Sequence, residues 1–281
     1  MNLEKHYRLA TTEETEFYIN SLYPLQDQVM EIASAYGNRL YLTGRTALAR
    51  FHFQHRLSED LDFFTLTNDL KLIAEDLVAR LIEQNIEVQV EQLDVYFARL
   101  YAIQDDVHLK IDMVREHHLI GELEQTEMGV LTNSLEDIGT NKITAFEDRA
   151  AMKDILDLYY ITQFISLHHL FALAEQKRVP VAYENLLTIH TTGISGMILA
   201  TKPVDQRAVS QFVHELIEAT EEEIKKKETV ANEQIDTIVR QLLWDYPNEE
   251  RRITPMSIPV LKQRIKRLAL PRRSVMERVL A

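Results

Sequence analysis

The stretch that decides the fold is Tyr41–Phe64, YLTGRTALARFHFQHRLSEDLDFF. The run RLYLTG reads as a short strand stopped by Gly44, TALARFHFQHR as a helix beginning just after that glycine, and DLDFFTL as a second strand. On a strand, residues i and i+2 share a face. Asp60 and Asp62 therefore project side by side, while Leu61 and Phe63 enter the core. Two carboxylates held that close repel each other, and in isolation one tends to keep a proton. A divalent cation removes the conflict, and hard oxygen ligands on one face suit Mg²⁺. Two solvated aspartates on an edge strand would show the same pattern.

The flanking residues add to this. Gly44 lets the backbone turn tightly and approach a ligand, and the N–H groups of the helix opening at Thr46 can receive a phosphate. Arg45 is either a phosphate contact or a surface arginine. Arg56 and Ser58, just before the acids, either hold a phosphate or belong to a polar loop.

Working outward, Glu13 to Tyr36 carries apolar residues at helical spacing (Phe17, Leu22, Val29, Ile32), with Pro24 as a potential kink. Leu70 to Gln84 is a second amphipathic helix. IEVQVEQL, VYFARLYAI and HLKIDMV are β-rich runs separated by turns at Asp94 and Asp105-Asp106. Asp112, in HLKIDMV, completes a three-carboxylate cluster if its strand lies beside the D-x-D strand; otherwise it is a solvent-facing acid. This pattern predicts a small mixed sheet with helices on it, ending near residue 135.

From Ser134 onward the pattern is helical, over Asn141–Phe164, Glu184–Ala200, Val204–Arg240 and Ile258–Leu268. Ser134 and Asp137 resemble a capping box, and Thr140 is placed to cap the following helix. The expected organisation is α+β: a sheet domain over 1–135 and an all-helical domain over 136–281. In NKITAFEDRAAMKDILDLYY, a single helix would align Lys142, Arg149, Lys153 and Asp157 along one stripe, with Ala151, Ile155 and Leu158 opposite. The stripe is either a cationic wall or an ordinary exposed helix face.

Composition sets limits on function. Of 281 residues, 46% are hydrophobic, and only seven Gly and seven Pro are scattered among them, which favours regular structure over low-complexity sequence. The absence of Cys removes disulfides and thiolate metal sites and fits a cytoplasmic setting. No apolar stretch reaches the length of a membrane span. The net charge of −13 disfavours a long nucleic-acid track, yet residues 251–281 hold nine Lys or Arg against one acid, Glu277. A localised contact with an anionic partner is therefore expected there.

Taken in order, LTGRTALARF, HRLSEDLDFF, LKIDMV and NKITAFEDRAAMKDILDLYYI resemble the AbiEii/AbiGii-type nucleotidyltransferase toxin family, within the superfamily that includes DNA polymerase beta. The resemblance spans about residues 25–165 and lies in the ordered set G-x-T, R-x-S-x-D-x-D and K…R-x-x-x-K-D-x-x-D. It implies a nucleotidyltransferase sheet followed by a helical domain, use of an NTP with Mg²⁺, and the toxin of a toxin–antitoxin or phage-defence system, with an antitoxin from a neighbouring gene. It further implies that Gly44 and Thr46 hold the triphosphate, Asp60 and Asp62 the metal, and Lys142 a phosphate. Asp154 or Asp157 would be the acid of the later motif, and a tRNA 3′ end is the implied acceptor. Where the family shows a small residue, this chain has Arg45, which would either crowd the phosphate or neutralise it. The expected mechanism is NMP transfer with two Mg²⁺ on Asp60, Asp62 and Asp112, and with Lys142, Arg56, Arg149 and Lys153 around the phosphates. The alternatives are protein nucleotidylation and nucleotide or partner binding without chemistry.

Overall fold

The computed structural model describes residues 6–145, 151–177, 184–187 and 197–245. Residues 1–219 form one compact unit and 220–281 a second; the first carries the sheet and the candidate site.

The chain opens with a short strand, β1 (Tyr7–Leu9), and a helical run in three parts: α1 (Thr12–Phe17), a π-helical turn over Tyr18–Leu22, and α2 (Tyr23–Ser34). Pro24 sits in the first turn of α2, where its missing N–H costs least, and the π turn lies directly before it. Strand β2 (Tyr41–Thr43) leads into α3 (Gly44–Ala47), which continues as a π-helical turn to His52. The helix therefore stops before Phe53, short of the expected Arg56, and Gln54 adopts a positive φ of 48°. Strand β3 (Asp60–Thr65), helix α4 (Leu70–Glu83) and strands β4 (Glu87–Leu93), β5 (Phe97–Gln104) and β6 (Val107–Arg115) follow, close to the ranges the sequence predicts. Asp105 and Asp106 both take positive φ between β5 and β6, the conformation a two-residue hairpin turn requires.

Two short strands, β7 (Glu124–Gln125) and β8 (Leu131–Thr132), complete a seven-stranded mixed sheet of order β4-β5-β6-β3-β2-β8-β7. Its centre pairs β3 antiparallel to β2 and parallel to β6. Leu61, Phe63, Ile111 and Met113 are fully buried. Helix α4, which buries Leu70, Ile73, Ala74, Leu77 and Leu81, packs on β4, β5 and β6. Each of the buried Leu and Ile side chains contributes roughly 1.5–3 kcal/mol through burial, and Ala74 less.

The later segment is helical: α5 (Leu135–Ala145), α6 (Met152–Ile161), α7 (Leu167–Lys177), α8 (Glu184–Leu187) and α9 (Gln206–Asp245). Ser134 caps α5, its hydroxyl accepting from the Asp137 N–H at 3.2 Å. The Asp137 carboxylate does not return to the cap; it accepts from Asn133 Nδ2 and Lys177 Nζ, each at 2.7 Å. Thr140, expected as a cap, lies inside α5 and donates to the Glu136 carbonyl. Gly139 lets α5 cross α7 closely: a Cβ there would lie 2.8 Å from Leu170.

Two helix expectations are corrected. The expected single helix over Asn141–Phe164 is two helices, because Ala151 takes extended angles (φ −112°, ψ 132°) at the start of α6. The expected helix over Glu184–Ala200 is helical at Glu184–Leu187, and Ile198–Ala200 is a strand, β9, paired in parallel with β1. Backbone pairing with a distant segment outweighs local helix propensity there, and Gly193 and Gly196 already weaken that propensity. The Ile258–Leu268 helix and the basic segment 251–281 lie outside the described residues.

Candidate active site

Strand register brings the acids together. Asp62 on β3 is the direct partner of Asp112 on β6, which in turn pairs with Arg99 on β5. One step along the same face, Asp60 pairs with Lys110. The sheet thus presents two adjacent rows of alternating charge. Lys110 Nζ lies 3.1 Å from Asp60 Oδ2 and 3.0 Å from Asp112 Oδ2. Arg99 grips both oxygens of Asp112, at 2.7 and 2.9 Å. Arg45 reaches from α3 to Asp60 Oδ2 at 2.5 Å.

These pairings set the protonation of the acids. Burial alone would raise the Asp60 carboxyl, but Arg45 and Lys110 outweigh it and hold it below its ordinary value. Asp112 behaves alike: burial opposes, while Arg99 and Lys110 prevail. Asp62 is different. Burial and then the charge of Asp60 push its carboxyl up to about 6, and among the described residues it forms no salt bridge. A crowded carboxylate without its own cation, beside a second one on the same face, is a donor set that suits a divalent ion. Among the described residues, however, no three His, Asp or Glu side chains stand together as a metal site, since the chain's own cations are interleaved with the acids.

Gly44 fits tightly against this acid. Its φ is +69°, and a Cβ there would lie 2.9 Å from Asp62 Oδ2. Glycine is required twice, for the left-handed backbone and for the close approach. Thr46 turns inward: its hydroxyl meets Ser58 Oγ at 2.8 Å and donates to the Asp60 carbonyl. Both residues are buried, and their hydroxyls tie α3 to the start of β3.

The facing wall comes from α5 and α6. Lys142 Nζ contacts Asp154 Oδ1 at 2.6 Å and Asp157 Oδ2 at 2.7 Å. Arg56 grips both oxygens of Asp157 at 2.9 Å, and His55 Nε2 meets the same carboxylate at 2.9 Å. Burial opposes ionisation of Asp157, yet Arg56, Lys142 and His55 hold its carboxyl well below the ordinary range. Burial in turn lowers His55 below its usual value despite the acid beside it. A cleft of about 160 Å³ lies between the walls, lined by Thr43, Gly44, Arg45, Asp62, Lys142 and Asp154 among others.

The residues singled out from sequence divide accordingly. Gly44, Arg45, Asp62 and Lys142 meet in the cleft; Asp60 and Asp112 lie beside it on the sheet. Arg56, Ser58, Thr46 and Asp157 are buried behind it. Lys153 pairs with Glu59 at 2.9 Å, and Arg149 lies outside the described residues. The predicted stripe of Lys142, Arg149, Lys153 and Asp157 is lost with the continuous helix: Asp157 is buried together with Ile155 and Leu158, whereas Lys153 points elsewhere. Lys110 and Arg99, absent from the sequence reading, neutralise the acid rows. Thr43 and Asn141, also not singled out from sequence, line the cleft, and among the described residues their buried Oγ1 and Nδ2 have no hydrogen-bond partner. Lys110 was detectable, since it precedes Asp112 by two residues; Arg99 needs the strand register.

A glycine turn against a D-x-D strand in a mixed sheet, facing a lysine on a following helix, defines the nucleotidyltransferase class. The family model described as "Nucleotidyl transferase AbiEii toxin, Type IV TA system" matches residues 28–256. The chain belongs to this family and is a nucleotidyltransferase. Among solved structures, JHP933 from Helicobacter pylori is 17% identical with a TM-score of 0.50, covering 80% of this chain and 99% of its own. The MenT4 nucleotidyltransferase toxin from Mycobacterium tuberculosis H37Rv is 18% identical with a TM-score of 0.53, covering 71% and 82% respectively. At these identities the likeness is one of fold. No curated protein matches the chain by sequence. Among the described residues, no helix is long and apolar enough to cross a membrane.

Proposed function

We propose that this chain transfers an NMP group from an NTP to a tRNA 3′ end, acting as the toxin of a type IV toxin–antitoxin pair whose antitoxin is encoded next to it. The observation that carries the reading is the meeting of Gly44, Arg45 and Asp62 with Lys142 at one cleft, although about 80 residues of chain separate Asp62 from Lys142. In the reaction the acceptor hydroxyl releases its proton to solvent and its oxygen bonds to the α-phosphorus. The bond from that phosphorus to the bridging oxygen breaks, and pyrophosphate leaves with the electron pair.

Within this reading the sheet segment, 1–135, supplies the acids and the helical segment, 136–281, the opposing cation. Asp60 and Asp62 would hold a divalent cation, Mg²⁺, which when bound would neutralise the triphosphate and lower the pKa of the acceptor hydroxyl. Two of the three ammonium donors of Lys142 are engaged by Asp154 and Asp157, which leaves the third for a phosphate oxygen. Thr43 and Asn141 line the same cleft, and their unpaired Oγ1 and Nδ2 could turn to further contacts with a phosphate. The cleft is smaller than the roughly 300–1,000 Å³ of most small-molecule sites, so it suits the phosphates, with the nucleoside extending outward. The basic segment 251–281 would follow the RNA backbone.

The test is incubation of the full chain with each labelled NTP and total tRNA. Asp62→Ala loses incorporation and keeps the fold; a variant that still labels tRNA discards the assignment. RNA binding falls steeply with salt, and deletion of 251–281 removes that dependence. Label on protein instead of tRNA would favour nucleotidylation of a protein. A second reading rests on Arg45 closing on Asp60: nucleotide or partner binding without chemistry, seen as NTP binding with no pyrophosphate release.

A further inference from the structure

The acid rows contain a cation that belongs to the chain. Lys110 Nζ bridges Asp60 and Asp112 at 3.1 and 3.0 Å, a placement fixed by two strands in register, because Lys110 is both the partner of Asp60 and the same-face neighbour of Asp112. Both oxygens of Asp112 are already engaged by the Arg99 fork, and Lys110 shares one of them. An ammonium between two carboxylates carries one positive charge in the place where a bridging metal would carry two. It is also covalently tethered, so it does not dissociate. Asp62, by contrast, lines the cleft and forms no salt bridge among the described residues.

We infer that this nucleotidyltransferase works with one divalent cation, on Asp62 and Asp60, and that Lys110 permanently takes the place of a second between Asp60 and Asp112. The inference rests on the proposed function and narrows the expected pair of ions to one. Lys110 is then a positioning residue: it keeps Asp60 and Asp112 ionised and apart from exchangeable metal. It also makes activity depend on the first power of metal concentration.

The test uses the full chain stripped of metal and loaded with Mn²⁺ together with a non-hydrolysable NTP analogue. Metal is counted by anomalous scattering from crystals and by electron paramagnetic resonance. The wild type is expected to show one Mn²⁺ at the acid rows and the spectrum of an isolated ion. Lys110→Met, which keeps the volume and removes the charge, is expected to admit a second ion and give the spectrum of a spin-coupled pair. Its thermal stability should rise more with Mn²⁺ than that of the wild type. A coupled pair in the wild type overturns the inference and leaves the proposed function standing. A single ion in a folded Lys110→Met protein also overturns it. No Mn²⁺ in either protein defeats the proposed function and the inference with it.

Discussion

The two charged walls of the cleft are built on opposite principles. On the helical side, Asp157 is fully buried and held by Arg56, His55 and Lys142; every charge there has a partner and little water. On the sheet side, Lys110 and Arg99 remain about a third exposed, and among the described residues Asp62 forms no salt bridge, although Arg45 and Lys110 act on it from nearby. A closed network resists change, because removing one member strands the others in a medium of low dielectric. An open row tolerates exchange, since its charges are shared with solvent and ligands. The difference suggests a fixed anvil on one side, which aims Lys142, and on the other side a wall whose electrostatics are completed by substrate.

The largest effect follows from breaking the closed wall. Asp157→Ala leaves Arg56 and Lys142 buried with too few counter-charges and should cost about 3–5 kcal/mol of stability. Urea unfolding of the full chain checks this. A loss below about 1 kcal/mol would mean that the network is not the rigid element described.

Asp62 tests the open wall with the opposite sign. Its carboxyl lies above the ordinary value, at about 6 instead of 3.8, so the folded state binds the proton more tightly than the unfolded chain does. Between these values stability falls as pH rises, by at most about 3 kcal/mol. The stabilisation is complete at low pH and is lost as pH passes through the folded value. Asp62→Asn removes this contribution. In metal-free buffer, the wild type should therefore lose stability relative to the variant from about pH 4 to pH 7. A constant difference across that range would show that Asp62 is not crowded by its neighbours.

Gly44→Ala sharpens the contact between turn and acid. The added Cβ would meet Asp62 Oδ2 at 2.9 Å in a backbone of φ +69°. The conformation costs roughly 1–2 kcal/mol for any L side chain, and the displaced carboxylate should weaken NTP binding severalfold. Differential scanning calorimetry and nucleotide titration measure the two parts separately. Unchanged NTP affinity would detach the turn from the site.

What could be read from sequence follows the same division. The D-x-D face, the glycine turn and the β4–β6 meander were legible because period-two alternation and turn residues act locally. Asp112 beside Asp62 could be read as a condition on strand order, and the structure meets that condition. The closed wall was largely hidden. Arg56 and Asp157 are 101 positions apart, and nothing in the spacing of either marks them as partners. Helical periodicity was also misleading between Asn141 and Phe164, because a break at Ala151 turns the second half and buries acids that a straight helix would expose. Lys and Arg near the acids read naturally as phosphate ligands, yet Arg56, Arg45 and Lys153 are each spent on a carboxylate of the chain itself.

Lys153 gives the smallest expected effect and separates the walls at their margin. Its ammonium meets Glu59 at 2.9 Å, and the Glu59 side chain is 61% exposed, so screening and side-chain entropy leave the pair worth less than about 1 kcal/mol. Lys153 lies one position from Asp154 and four from Asp157, yet its side chain leaves the direction those acids take. Lys153→Ala should therefore keep both stability and NTP affinity near wild type, while Lys142→Ala loses nucleotide binding. If Lys153→Ala instead weakened NTP binding as strongly as Lys142→Ala, the ammonium would have to leave Glu59 for the triphosphate. The helical wall would then be an exchanging surface like the sheet, and the contrast between a fixed wall and an open one would fail.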